Sequence, residues 1–106
     1  VWGIGVDQDE YFTTFNGGDA PGSEYLATSA IKRVDLAVFR NIVAALQDGF
    51  EGGLYTLEAA NDGITYAPFH DAELPAEATE ALEEARAGLA DGSIDTGVDP
   101  VTGLPN

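Results

Sequence analysis

The sequence predicts an α/β fold. Three observations favour it: short apolar segments of strand length recur along the chain, two longer segments have helical periodicity, and glycine-rich turns separate them. With 106 residues, of which 44% are hydrophobic, the chain has enough apolar material for a globular unit. The predicted order of strand, helix, strand, strand and helix is typical of α/β proteins, whose sheets bind ligands at the carboxyl ends of their strands.

The first predicted elements are a strand, a loop and a second strand. Residues 2–6 form an apolar run that ends at Asp7, which predicts a buried strand with a carboxylate at its end. Residues 9–24 are polar and glycine-rich, so we predict a loop. Residues 25–31 return to an apolar, partly β-branched pattern, which predicts the second strand.

A helix is predicted from Val34 onward, because apolar residues recur there at helical spacing. Few positions between residues 34 and 46 are polar, so we expect the helix to be covered on most sides. Asp35 lies in its first turn, where a negative charge favours the helix dipole. Gly49 stands where a C′ glycine would end the helix.

The second half of the chain is predicted to contain two more strands and a helix. Residues 54–57 and 64–67 have strand patterns, and a tight-turn sequence at residues 61–63 separates them. Pro75 suits the first position of an amphipathic helix, which we expect to lie on the sheet with one side in water and to end at Gly92. The tail beyond it is predicted to be a loop or a frayed end.

Charge and composition exclude several classes of function. The 19 Asp and Glu residues outnumber the 4 Lys and Arg residues, which gives a formal net charge of −15. Such a surface repels phosphate backbones, so we expect no nucleic-acid partner. The chain has no Cys and therefore no disulfide, thiolate nucleophile or thiolate zinc site, and we expect neither a metal nor a cofactor.

The start of the chain leads us to expect a fragment. It opens at Val1 within an apolar run, without an initiator Met or a signal sequence. No segment approaches the roughly 20 apolar residues that span a bilayer. Any targeting or anchoring sequence is therefore expected upstream.

Two charged residues are candidates for ligand binding. Asp7 ends a strand beside a glycine-rich loop, where a carboxylate can accept hydrogen bonds from a ligand's hydroxyl groups, or can simply cap the loop. Lys32, the only lysine, ends the next strand near the positive end of the predicted helix dipole. A cation is unfavourable there unless a carboxylate or an electron-rich ligand lies opposite, and an ordinary ion pair with Asp35 is the alternative.

Five short segments match a known pattern in order and at plausible spacing. They are Gly3-Ile4-Gly5-Val6-Asp7-Gln8-Asp9, Thr28-Ser29-Ala30-Ile31-Lys32-Arg33-Val34-Asp35-Leu36-Ala37-Val38, Gly53-Leu54-Tyr55-Thr56-Leu57, Gly63-Ile64-Thr65-Tyr66-Ala67-Pro68-Phe69-His70-Asp71 and Gly92-Ser93-Ile94. In these segments the chain resembles the basic membrane protein family, the nucleoside-binding lipoproteins that serve ABC transporters. The resemblance covers residues 1 to about 96.

The resemblance implies a type I periplasmic-binding-protein fold, doubly wound and two-lobed, of which this chain is the C-terminal fragment. The chain then divides into five parts. Residues 1–8 are the end of a lobe II strand, residues 9–24 are a Gly-rich loop, and residues 25–49 are a strand and helix of lobe I. Residues 50–96 are strands and a helix that return to lobe II, and residues 97–106 are a tail. Asp7 and Lys32 would approach the ligand from opposite sides of a hinged cleft.

The resemblance also implies a function. In nucleoside-binding members of the family, an aspartate and a lysine at the positions of Asp7 and Lys32 hydrogen-bond the ribose hydroxyls. The chain would then belong to the extracytoplasmic solute-binding component of an ABC importer, which binds a nucleoside by cleft closure and does not transform it. Its partner would be the transporter permease. It would be a periplasmic or cell-surface lipoprotein, held at the plasma membrane by an upstream lipid anchor.

Two other functions stay open. One is a hydrolase acting on ribosides, with Asp7 activating water and His70 assisting, although the usual nucleophile, oxyanion and metal motifs are missing. The other is a cytosolic regulator whose effector domain has the same fold. A single His without Cys is a poor metal set, so we expect residues 69–71 to pack and to hydrogen-bond the loop before the second helix.

Overall fold

A three-stranded sheet is the centre of the structure, a computed structural model in which all 106 residues are described. Its strands are β1 (Gly3–Asp7), β2 (Leu26–Lys32) and β3 (Ile64–Tyr66), and β2 lies in the middle. β1 runs parallel to β2, with Asp7 opposite Ile31, whereas β3 runs antiparallel to β2. Together with three helices, this makes a small mixed α/β domain and confirms the predicted fold class at that level.

The helices are α1 (Glu10–Thr13), α2 (Val34–Leu46) and α3 (Ala76–Asp91). α2 and α3 correspond to the two predicted helices. α3 ends at Gly92, which has the left-handed φ of 79° expected of a C-terminal glycine. None of the helices combines the length and the apolar composition needed to cross a membrane.

α3 contacts a turn more than it contacts the sheet. It packs mainly against the short 3₁₀ turn Ala59–Asn61 and does not lie broadly on the strands, as we had expected. Its link to β3 is Tyr66, whose hydroxyl donates a hydrogen bond to the Glu83 carboxylate. That hydrogen bond raises the pKa of Tyr66 above its ordinary value.

The segment 9–24 is more ordered than the predicted loop. The Asp9 carboxylate accepts a hydrogen bond from the Tyr11 backbone N–H and so caps α1. Two short 3₁₀ turns follow, at Asn16–Gly18 and Ser23–Tyr25. A helix of 4 residues is too short to leave a periodic pattern, which is why the sequence predicted a loop.

Residues 54–57 are not a strand, contrary to the prediction. The Asn61 side chain bonds the backbone there: its amide donates to the Thr56 carbonyl at 2.8 Å, and its oxygen accepts from the Glu58 N–H at 3.1 Å. Such side-chain bonds compete with the ladder of a sheet. The predicted tight turn is present, with Asp62 in the left-handed conformation at a φ of 58°.

The C-terminal end of α2 also differs from the prediction. Asp48, and not Gly49, takes the left-handed conformation, with a φ of 54°. The Gly49 N–H then donates to the Ala44 carbonyl at 2.8 Å, which is the long hydrogen bond of a Schellman ending. Aspartate tolerates the left-handed region, so this position does not require glycine.

The core is small and lies around the first half of β2. Of the 106 residues, 10 are buried, and the apolar ones among them are Leu26, Ala27, Ala67 and Ala72. The buried hydroxyl groups of β2 have hydrogen-bond partners. The Thr28 hydroxyl donates to the Ala67 carbonyl at 2.7 Å, and the Ser29 hydroxyl accepts from the Glu10 N–H at 3.1 Å.

Two predicted elements are more exposed than we expected. In β1 only Gly5 is buried, and the Ile4 side chain is open to solvent. α2 has no buried residue, and Val38 and Phe39 on it are exposed. The predictions of a buried first strand and a covered helix are therefore wrong for this chain, because no other element packs extensively on α2 or on the outer side of β1.

The tail is a loop, which was one of the two predicted alternatives, and it is closed into a turn rather than frayed. Val98 and Pro105 pair as an antiparallel bridge, and we refer to residues 98–105 as the C-terminal turn. Inside it, the Asp99 N–H donates to the Leu104 carbonyl at 2.9 Å. The Asp99 carboxylate accepts from the backbone N–H groups of Val101 and Thr102, at 2.8 and 2.9 Å.

Candidate ligand-binding site

The structure brings Asp7 and Lys32 together. Each is the last residue of its strand, and because β1 and β2 are parallel neighbours, both strands end at the same edge of the sheet. The Lys32 Nζ lies 3.2 Å from the Asp7 Oδ1. The two residues therefore form an ion pair at the carboxyl ends of the strands, where α/β sheets bind ligands.

The pair does not have the arrangement that we expected. Asp7 and Lys32 stand side by side on one sheet, and so they do not face each other from opposite sides of a cleft. The segments assigned to different lobes, residues 1–8 and 25–49, contribute neighbouring strands here. The physical reason is the parallel pairing of β1 with β2, which gives both side chains the same edge.

The pair is held at the surface. The side chains of Lys32 and Asp7 are 56% and 60% exposed, so their attraction contributes only about 0–1 kcal/mol to stability. The Asp7 carboxylate makes no hydrogen bond to the following loop, and capping in that loop belongs to Asp9. Both charged groups are thus accessible to a ligand.

The alternative partner of Lys32 is occupied. Asp35, at the start of α2, forms an ion pair with Arg33 at 2.8 Å. The hydrogen bond from Arg33 holds the pKa of Asp35 below its ordinary value. Lys32 therefore pairs with Asp7 and not with Asp35.

The backbone at Asp7 is unusual for a strand end. Its φ of 72° lies in the left-handed region, which side chains other than glycine rarely adopt. Aspartate is one of the few residues that enter this region, and non-glycine outliers of this kind are found at ligand sites. The turn directs the chain from β1 into the Asp9 cap of α1.

Two cavities border the ion pair. One, of about 490 Å³, is mainly apolar; besides Asp7 and Lys32 its walls include Val6, Ile31, Leu54, Ile64, Pro100 and Val101. The other, of about 520 Å³, is polar, and its walls include Gln8, Arg33 and Asp35. We refer to them as the apolar cavity and the polar cavity. Both volumes lie in the range of small-molecule sites, about 300–1,000 Å³.

A second cluster is centred on His70, and its partners were not predicted from the sequence. The His70 Nε2 lies 2.8 Å from the Asp9 Oδ2, and its ring stacks on Tyr11 with centroids 4.0 Å apart. The Tyr11 hydroxyl donates to Asp71 at 3.0 Å. Loss of surrounding water, together with that hydrogen bond, raises the pKa of Tyr11.

The His70 cluster ties the segment 9–24 to the segment that precedes α3. His70 packs and hydrogen-bonds as expected, but its partner is Asp9, in the distant segment 9–24. It forms no hydrogen bond or ion pair with Asp7, the residue that a riboside hydrolase would need it to assist. No group of three or more metal-ligating side chains comes together in the structure.

No protein-family model and no curated protein match the chain. The resemblance to the basic membrane protein family therefore stays a prediction from the sequence. What the geometry adds is the exposed pair of Asp7 and Lys32 at one sheet edge and the two cavities beside it.

Proposed function

We propose that this chain is the ligand-contacting part of an extracytoplasmic solute-binding protein of an ABC importer, and that it binds nucleosides through their ribose hydroxyls. One observation carries the proposal: the exposed Asp7–Lys32 pair stands at the carboxyl ends of two parallel strands and borders a cavity of about 490 Å³. The α/β domain would be the C-terminal part of a two-lobed type I periplasmic-binding-protein fold.

The chemistry of the pair suits a vicinal diol. A carboxylate only accepts hydrogen bonds, and its two oxygens match two neighbouring hydroxyl groups. An ammonium group only donates, and it can bond the lone pairs of the same hydroxyl oxygens. Asp7 and Lys32, 3.2 Å apart, can therefore bond one ribose together, and charged partners make these hydrogen bonds stronger than neutral ones.

The charge of the chain supports a ligand without phosphate. A net charge of −15 repels anions, and the polar cavity beside the pair carries Asp35 as well as Arg33. A nucleoside is uncharged and is therefore not repelled by this negative charge. The same charge disfavours a nucleic-acid partner.

Transport would follow from closure of the protein around the ligand. The pair supplies one wall of the site, and a second lobe would close over it from the other side. Because closure depends on occupancy, the permease can distinguish the loaded protein from the empty one. A lipid anchor upstream of this chain would hold the protein at the outer face of the plasma membrane.

The test is titration calorimetry of the natural-length protein with adenosine, guanosine, inosine and uridine, and with free ribose. We expect at least one nucleoside to bind in the micromolar range or tighter. The Lys32→Ala variant should weaken that binding at least tenfold, about 1.4 kcal/mol, because the ribose loses a charged donor.

Arg86→Ala is the matched control. Arg86 is also an exposed cation in an ion pair, 3.2 Å from Asp62, and its removal changes the net charge equally. It does not line either cavity beside the pair. Equal losses of nucleoside affinity in the two variants would mean that Lys32 acts only through the net charge and not through contact with the ribose. An absence of binding heat with every nucleoside would refute the ligand assignment.

A further inference from the structure

We infer that the C-terminal turn is a wall of the ligand site, and that it selects ligands in which a planar ring with apolar faces is joined to a hydroxylated group. The inference rests on the proposed function and adds the part of the ligand that Asp7 and Lys32 do not contact. The turn brings Pro100 and Val101 to the apolar cavity, which has the ion pair at its border.

The apolar cavity is built from segments far apart in the sequence. β1 and β2 contribute the ion pair, the segment 54–57 contributes Leu54, and the C-terminal turn contributes Val101. A ribose bonded to the pair occupies only the charged border of a volume of about 490 Å³. Most of the remaining wall is apolar, and only Tyr55 and Thr56 add hydroxyl groups, so it offers few partners to a second hydroxylated group.

The C-terminal turn is fixed by its own hydrogen bonds. The Asp99 carboxylate bonds the Val101 and Thr102 N–H groups, and the Gly103 N–H donates to the Asp99 carbonyl at 2.8 Å. These bonds fix the shape of the turn that carries Val101. A wall of this kind is formed before the ligand arrives, so little conformational entropy is lost on binding.

The apolar wall is in water until a ligand covers it. Val101 and Leu54 are 68% and 77% exposed. Removing such surface from water is favourable in proportion to the area covered. The face of a planar ring attached to the sugar covers this surface, whereas a free sugar leaves it hydrated. The wall therefore favours a nucleoside over its ribose.

Val101→Ser tests the wall with little risk to folding, because the residue is exposed. In titration calorimetry of the natural-length protein, we expect about fivefold weaker nucleoside binding and unchanged ribose binding. Val98→Ser is the matched control, since Val98 belongs to the same turn but does not line the apolar cavity. Amide exchange should also slow at Val101 with a nucleoside and not with ribose.

The possible outcomes distinguish a failure of the proposed wall at the C-terminal turn from a failure of the proposed ribose binding by Asp7 and Lys32. If Lys32→Ala loses nucleoside binding while Val101→Ser keeps it, the wall is refuted and the proposed function stands. Equal weakening by Val98→Ser and Val101→Ser would mean that the turn acts through its stability and not through contact, which also refutes the wall. If no nucleoside binds the unmodified protein, the proposed function fails, and the wall fails with it.

Discussion

Gly63→Ala should destabilise the domain strongly, because the backbone leaves no room for a methyl group. Gly63 is buried between the Asp62 turn and β3. A Cβ built on it would lie 2.7 Å from the Leu57 Cα and 2.8 Å from the Glu58 N. These are backbone atoms, so no side-chain rotation relieves the overlap.

The expected loss of stability in Gly63→Ala depends on how firmly the backbone at residue 63 is held. Gly63 is held on both sides: its N–H donates to the Glu58 carbonyl at 2.9 Å, and its carbonyl accepts from the Arg33 N–H at 2.8 Å. Overpacking costs about 1–3 kcal/mol, and we expect the upper half of that range because these hydrogen bonds would be strained as well. For a domain of this size, 2 kcal/mol corresponds to a fall in Tm of about 8–16 °C.

Thermal unfolding followed by circular dichroism measures the change. Gly52→Ala is the matched control, since no atom lies within 4 Å of its added Cβ. That variant should have an unchanged free energy of unfolding or gain up to about 1 kcal/mol through the unfolded state. If Gly63→Ala melts within about 2 °C of the unmodified protein, the close approach of Leu57 to Gly63 is not real.

Two other predictions concern the buried core and the C-terminal turn. Thr28→Val should lower the free energy of unfolding, measured by chemical denaturation, by about 1–3 kcal/mol, because the Ala67 carbonyl loses its buried donor. Thr28→Ser keeps the hydroxyl and should lower it less. Equal losses in the two variants would contradict the role of the hydrogen bond. Hydrogen bonds from Thr102 and Val101 lower the pKa of Asp99 below its ordinary value of 3.8. These hydrogen bonds therefore stabilise the folded turn above pH 3.8, and that stabilisation is lost as the pH falls through the lower pKa of the folded state. Amide shifts of the turn should therefore move only in that acid range and not in Asp99→Asn, and a transition nearer neutral pH would contradict the assignment.

Much of the regular structure could be predicted because it depends on local patterns. α2 and α3 lie where helical periodicity placed them, and β1 ends at Asp7. The convergence of Asp7 with Lys32 follows from parallel pairing of two strands that were each predicted alone. The sequence could therefore suggest the two candidate residues, but not that they share one edge of the sheet.

The missed features depend on contacts that no local pattern encodes. The segment 54–57 has strand composition, but the Asn61 amide occupies the Thr56 carbonyl, and the Asn61 oxygen occupies the next N–H, that of Glu58. His70 and Asp9 are 61 positions apart in the sequence, so no local pattern indicates that they meet. The apolar cavity likewise requires Val101 to return to the sheet edge, and no periodicity in a short turn indicates that.

The left-handed backbone at Asp7 restricts which amino acids this position accepts. Only Gly, Asn and Asp enter that region at small cost, so Glu, the other carboxylate, is a poor substitute despite its equal charge. Asn preserves the turn and removes the charge, whereas Glu preserves the charge and strains the turn. The backbone and the carboxylate thus impose separate demands on one residue, and aspartate is the one standard amino acid that meets both.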